Sequence, residues 1–411
     1  MITLSRFQRL LIYLFVFFGP LGTLLTPSFM PYAFRFYHFF LVLFPLFYLK
    51  LHNKEWKTAL SFVPFIVCCL ISAYFTHNKE FHRDAYPLFR CFLFASQCLF
   101  MFGAAFCLKG RNESSRLIRI YLAGFFLSLI VGYIFYIGFY LGKISFATLY
   151  RYSVETQMGW GLLRFSPGAY PNEYGIISSF ALSALLIQFG DKKKFLTLAF
   201  ASATFIAFLL TTTRAAYLSY SISLIYLLIT SSEIRKLMTK LGLATLAILL
   251  ILKAYSIDFF KIFIAGVKTI SFTYGSTGIR FKEWIKGFED LNESLFFGSG
   301  FSTNIHAHNV YLELLFEVGL IGAVILGVTL VYYFSTNGHR MSLFFRNYKK
   351  YPHIIVGLIH VFSFAATNHN MHHHLTWFVF LLFNMHLFSN LKGDEDVSLS
   401  KQHPSQSALQ L

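Results

Sequence analysis

The stretch "VYLELLFEVGLIGAVILGVTLVYYF", Val310–Phe334, decides the solvent in which this chain folds. It is long enough, as a helix, to cross the roughly 30 Å hydrocarbon layer of a bilayer, which takes ~20 predominantly apolar residues. Its only charges are Glu313 and Glu317. Similar runs recur along the whole chain of 411 residues, of which 56% are hydrophobic and 13% charged. That is the profile of a polytopic membrane protein. Backbone polar groups in lipid must be satisfied within the spanning structure, and the runs lack the period-2 alternation of a barrel, so the spans are helices.

Working outward from Val310–Phe334, apolar spans fall near Arg9–Leu25, Phe36–Tyr48, Ala59–Tyr74, Tyr86–Leu108, Leu117–Leu141, Tyr174–Phe189, Phe195–Thr211, Ala215–Thr230, Leu237–Leu252, His353–Ala366 and Leu375–Phe388. The expected fold is therefore all-α, with about twelve transmembrane helices. With the N-terminus inside, one set of loops collects Lys54, Lys57, Arg111, Arg116, Arg119, Lys192, Lys193, Arg235, Lys236, Arg340 and Arg346, and the opposite loops hold few basic residues. This asymmetry fits the positive-inside rule. In domain terms, residues 1–252 hold the first nine spans, 253–307 a large external loop, 308–390 the last three spans and 391–411 a polar, disordered internal tail.

The net charge of +17 then belongs mainly to an inward-facing topogenic belt, and no nucleic-acid motif accompanies it. The five cysteines, Cys68, Cys69, Cys91, Cys98 and Cys107, lie in or beside spans and read as small apolar residues, with neither a disulfide framework nor a metal site. The N-terminus has no cleavable signal pattern, so the first span is expected to be retained.

Function is expected on the outer side, where two connectors, Gly142–Glu173 and Lys253–Ala307, exceed the usual loop length. The first contains "LLRFSPGAYPNEYG", with Arg164, Asn172 and Glu173 leading into the sixth span. Between them lies "LLTTTRAAYLSYS", in which Arg214 separates two apolar runs. Arg214 reads either as a residue snorkelling to the outer headgroups or as an anion-binding group whose planar fork fits phosphate. Arg90 has the same two readings, with snorkelling favoured. From Thr273 to Asp290, Ile279, Trp284 or Ile285, and Phe288 suit one helix face while Lys282, Glu283, Lys286 and Glu289 suit the other. Ser276 or Thr277 could cap this amphipathic helix, which would lie in the outer interface with Arg280 near its positive end.

The residues that open the Val310 span complete the pattern. His308 stands at its mouth, where an imidazole can hold a near-neutral pKa. Asn309, Glu313 and Glu317 follow at i, i+4 and i+8 and stack along one stripe that must face the bundle interior. The carboxylates could pair with Arg214 or Arg164 as counter-ions, the favoured role for Glu317. His306 and His308, two apart, cannot share a zinc-binding helix face. The run "NHNMHHH", Asn368–His374, reads as a solvent loop in preference to a metal site.

The order "TTTRAAYLSY", "STGIRFKEWIKGF" with "FGSGFS", then "HNVYLELLFEVGLIG" resembles the shared core of bacterial O-antigen ligases and O-antigen polymerases. The resemblance covers about Arg164 to Leu330. It implies a multi-pass inner-membrane glycosyltransferase with a GT-C-type bundle, acting on the periplasmic side with an undecaprenyl-diphosphate-linked glycan as donor. By the same resemblance Arg214 and Arg280, and less securely Arg164 and Asn172, match donor-diphosphate residues, and His308 matches the catalytic histidine. Asn309 and Glu313 are expected to orient that histidine or its substrate. No cofactor or metal is implied. A ligase would transfer glycan to lipid A-core, the favoured reading, and a polymerase to a second lipid-linked unit. A lipid-linked oligosaccharide flippase is the alternative of a different class, disfavoured because the notable charges gather on the outer side and the two halves of the chain show no repeat.

Overall fold

The computed structural model describes residues 4–22, 24–25, 34–49, 53–76, 87–108, 111–152, 158–159, 162–188, 194–239, 275–303, 307–369 and 371–389. Helices dominate: α1 (Leu4–Phe18), α2 (His38–Leu41), α3 (Pro45–Tyr48), α4 (Asn53–Ala59), α5 (Val63–Thr76), α6 (Pro87–Cys107), α7 (Arg111–Tyr140), α8 (Phe146–Tyr152), α9 (Pro171–Gln188), α10 (Lys194–Leu210) and α11 (Arg214–Thr230). They continue as α12 (Ser232–Thr239), α13 (Gly275–Glu293), α14 (Val310–Arg346), α15 (Pro352–Ala365) and α16 (His374–Ser389). A two-residue antiparallel pair, Met158–Gly159 with Leu162–Leu163, is the only sheet among the described residues.

Among the described residues, five helical segments are long and apolar enough to cross a membrane: Leu4–Leu21, Glu55–Phe75, Pro87–Cys107, Glu113–Tyr140 and Val310–Arg346. Shorter apolar helices stand at His38–Tyr48, Leu196–Leu210, Pro352–Ala365 and His374–Phe388. The expected second span is the short helix His38–Tyr48, irregular between α2 and α3, where Pro45 supplies no N–H. After Thr230 the chain bends by 116° into α12, and the greater part of the expected ninth span, from Lys240 onward, lies outside the described residues.

The helices pack as two linked groups. α16 lies against α6, α7 and α15, and is apolar nearly all round, as a helix covered on every side must be. α9 packs between α10, α11 and α15, with almost every residue buried. Close approaches depend on glycine: a Cβ on Gly124 of α7 would fall 1.9 Å from the Phe17 carbonyl oxygen. The cysteines are free, as expected.

α14 is continuous in sequence but broken in geometry. Gly319 has φ 63° and ψ −167°, a conformation open essentially only to glycine. The break frees backbone groups, and the turn before it fills them: Ser299 and Gly300 donate to the carbonyls of Phe316 and Glu317 at 2.8 and 3.0 Å. Leu320 and Ile321 donate in return to Leu295 and Phe296 at 2.9 and 3.1 Å. A kink inside an apolar helix thus leaves no local deficit of hydrogen bonds.

Candidate functional site

The helix ends assigned to the outside by charge asymmetry lie together in the structure, and the residues singled out from sequence meet there. Arg164 braces the turn between α10 and α11. Its Nε donates to the Thr211 carbonyl at 2.7 Å, and one terminal nitrogen reaches Thr213 Oγ1 at 2.9 Å and Asn172 Oδ1 at 3.1 Å. Thr213 precedes α11 but does not cap it, because its hydroxyl donates to the Pro171 carbonyl at 2.9 Å. The positive end of α11 is therefore left open beside Arg214, its first residue, which is exposed.

Arg280, from α13, is half-buried and donates to the Thr367 carbonyl at 2.8 Å. Burial holds its guanidinium below the usual arginine range, and the charge of Arg214 pushes in the same direction. Two cations this close favour an anion between them. α13 itself packs differently from the expected pattern. Its inner face is Gly287 against Phe316, Trp284 donating to the Ala307 carbonyl at 2.6 Å, and Leu291, whereas Ile279, Phe281, Ile285 and Phe288 are exposed. Glycine, invisible to a hydropathy pattern, makes the packing face. The side chains of Ser276 and Thr277, the expected caps, lie outside the described set.

His308 is half-buried and has φ 49°, left-handed for a residue with a side chain. Asn309 caps α14, its Oδ1 accepting from Tyr311 and Leu312 N–H at 3.0 and 3.2 Å, and its Nδ2 donates to the Ala366 carbonyl at 3.1 Å. Three non-glycine residues have positive φ among the described residues: Thr212, Ser302 and His308. One is two residues before Arg214, one accepts from Arg90 at 3.2 Å through its hydroxyl, and the third is the expected base. Backbone strain of this kind concentrates at functional sites.

The carboxylate partners differ from expectation. Glu313, fully buried, meets His369 Nδ1 at 2.6 and 2.7 Å through its two oxygens, instead of Arg164 or Arg214. Arg164 is already held by the threonine turn, and Arg214 points outward. Glu317, also fully buried, shares the field of Arg90 with Glu313, while its carbonyl accepts from Ser72 at 2.8 Å. The cation acting on it is Arg90, in place of the expected Arg214 or Arg164.

The histidine run is not a solvent loop. Asn368 and His374 are buried, and the His374 ring packs against Phe15 at 4.5 Å while Nε2 faces the Phe15 carbonyl at 3.0 Å. His372 receives Tyr37 and Gln97 at its carbonyl, and Asn172 Nδ2 reaches Asn368 Oδ1 at 3.3 Å. Burial pushes the His369 imidazole down to about 4, and holds His372 and His373 well below the usual range. The run is held inward through the His372 and Met371 carbonyls, Asn368 Oδ1, His369 and the His374 ring, which composition alone does not reveal. No group of three or more His, Cys, Asp or Glu side chains suited to a metal ion occurs among the described residues.

Sequence reasoning missed Arg35 and His369. Arg35 approaches Glu173 at 4.0 Å, with both side chains nearly buried, and His369 is the partner of Glu313. The signal available for both was a charged or polar residue beside a span, the same one that picked out Arg214.

No curated protein matches this chain. Residues 198–327 match the family model described as O-antigen ligase, a segment that runs from α10 into α14 and contains Arg214, Arg280, His308, Asn309, Glu313 and Glu317. Over that segment the chain is similar to the O-antigen ligase superfamily.

Proposed function

We propose that the protein is an O-antigen ligase of the bacterial inner membrane that moves a glycan from undecaprenyl diphosphate to lipid A-core at the periplasmic surface. In this reading the bundle spans the membrane about twelve times. Arg214 and Arg280 hold the donor diphosphate and His308 takes the acceptor proton, while Arg164, Asn172, Asn309 and Glu313 hold these three in place. The acceptor oxygen forms a bond to the anomeric carbon as the bond from that carbon to the diphosphate breaks. The hydroxyl proton passes to His308, and undecaprenyl diphosphate leaves with the bonding pair. Attack opposite the leaving group inverts the anomeric centre.

The observation that carries the reading is the pairing of Arg214, exposed at an uncapped helix start, with Arg280, close enough for their charges to interact, at the end of the bundle that also holds His308. Negative charge grows on the diphosphate during the transfer, and preorganised cations aimed at growing charge are the largest single source of rate in such reactions. Guanidinium suits the task because its fork matches phosphate oxygens. His308, half-buried at the helix mouth, is reachable from the surface and can act as general base.

The test is transfer by the purified protein, reconstituted with an undecaprenyl-diphosphate glycan and either lipid A-core or a second lipid-linked unit. Glycosylated lipid A-core is the expected product, and its loss in Arg214→Ala, Arg280→Ala and His308→Ala supports the three assignments. Elongated lipid-linked glycan instead would make the protein a polymerase. Absence of either product from an otherwise folded protein would leave transport as the reading. Full activity of His308→Ala alone would remove the base and keep the phosphate role.

A further inference from the structure

The last interhelical loop, between α15 and α16, is where separate parts of the site converge. Four residues from three distant segments contact it within four positions. Asn309 Nδ2 donates to the Ala366 carbonyl, Arg280 to the Thr367 carbonyl, Asn172 Nδ2 to Asn368 Oδ1, and Glu313 meets His369. Ala366 and Thr367 follow the C-terminus of α15, where carbonyls have no partner within the helix and the helix dipole is negative. A guanidinium and an amide are suitable donors for them. Through Asn172, the loop is also joined to Arg164 and Thr213, and hence to the start of α11 at Arg214.

His369 fixes this loop from the side of α14. Its Nδ1 lies at hydrogen-bond distance from both oxygens of a carboxylate with no solvent exposure, so the contact holds one proton between the two groups. The ring is backed by His372 and His373, with centroids at 5.3 and 6.1 Å. Trp377 Nε1 donates to the Met371 carbonyl at 2.8 Å and closes the far side of the loop. The sequence matching the ligase family ends at residue 327, so the loop is a brace supplied from outside that segment.

We propose that His369, latched to Glu313, is a positioning residue that holds the Ala366–His369 loop as the common brace of Arg280 and of the His308–Asn309 turn, an inference that rests on the glycosyl-transfer reading above. Released from Glu313, the loop would shift its Ala366 and Thr367 carbonyls, and with them the donor arginine and the cap of the helix that presents His308. A displacement of about 1 Å in such a group costs on the order of 100-fold in rate.

The test compares His369→Ala, His369→Asn and His369→Gln in full-length protein, with Arg214→Ala and His308→Ala assayed alongside. Asparagine places an amide where Nδ1 stands and can meet Glu313 with the proton on either partner, whereas the longer glutamine places its amide near Nε2. His369→Ala and His369→Gln are expected to lower kcat on the order of 10- to 100-fold and raise the donor KM. His369→Asn should stay within about threefold of wild type, because the latch survives without the imidazole. In an Arg280→Ala background, His369→Ala should lose markedly less than it does alone, since one route of its effect is gone.

Wild-type rates in His369→Ala, equal losses in the asparagine and glutamine variants, or full multiplication with Arg280→Ala would each overturn the latch. If His369→Ala does not fold, the contrast of asparagine with glutamine decides. Activity in Arg214→Ala and His308→Ala would instead overturn the transfer reading, whatever His369 does.

Discussion

Replacing Gly319 by alanine tests whether the break in α14 holds the turn before it in place. A Cβ at Gly319 would stand 2.5 Å from Gly298 N and 2.6 Å from the Phe296 carbonyl oxygen, both backbone atoms that cannot rotate away. If the break persists, the alanine sits in a glycine-only conformation at a cost of about 1–3 kcal/mol, before any overlap is counted. If α14 straightens, the four bonds joining residues 295–300 to residues 316–321 are lost. Two intrahelical bonds can then reform, at Leu320 and Ile321. The net loss of two bonds, at about 1 kcal/mol each, is partly offset by about 1 kcal/mol of helix preference for alanine over glycine. Straightening also displaces the turn at residues 295–300 and rotates Asn309 and Glu313 relative to everything below the break.

Both routes therefore cost about 1–3 kcal/mol in stability, and the second also separates Glu313 from His369. Thermal unfolding in detergent measures the first effect and glycan transfer the second. Gly327→Ala on the same helix is the control, because a Cβ there meets nothing within 4 Å. It should match wild type or gain up to about 1 kcal/mol. If Gly319→Ala unfolds at the same temperature as Gly327→Ala and keeps full transfer, the break carries no structural weight and the reasoning fails.

Arg164→Ala removes hydrogen bonds to Thr211, Thr213 and Asn172 and should destabilise by about 2–4 kcal/mol; lysine should not restore it, because one ammonium cannot reproduce the fork. Equal melting of Arg164→Lys and wild type would contradict that. Gly19→Ala should be more damaging than most surface changes, since its Cβ would overlap the His374 ring at 2.0 Å; a wild-type melting temperature would show that α1 can move aside. Acid should loosen the histidine end. The unfolded chain takes up protons on His372 and His373 below pH ~6.5, whereas burial holds both well below that range in the folded chain, so stability falls as pH drops below ~6.5. His369 adds little to this, because it already shares one proton with Glu313 in the folded chain. Melting temperatures that rise between pH 6.5 and 4.5 would refute the sign.

Much of the helical layout could be read from hydropathy, because lipid-crossing length and apolar content are properties of a local window. α6, α7, α14 and α16 stand where their apolar runs stand. What escaped was decided by partners distant in sequence. Glu313 was visible as a buried carboxylate, but nothing local indicates that its partner lies 56 residues later. The histidine run looked solvated because polar composition cannot distinguish a loop facing water from one facing Phe15, Tyr37 and Gln97. Gly287 and Gly319 carry no hydropathy signal, yet one forms the contact face of α13 and the other breaks α14. Arg214, Arg280 and His308 stood out in the sequence because each sits beside an apolar run, and the interaction of Arg280 with Arg214 is what the structure adds.

The loop at Ala366–His369 also bears on how the protein is made. Arg280 and Asn309 find their acceptors only on the link between the last two described helices. During synthesis, Arg280 and Asn309 reach the membrane before the carbonyls that accept from them. A partly inserted chain therefore carries the chemical groups without their arrangement. On the proposed reading, the arrangement is complete only once α15 and α16 are in place.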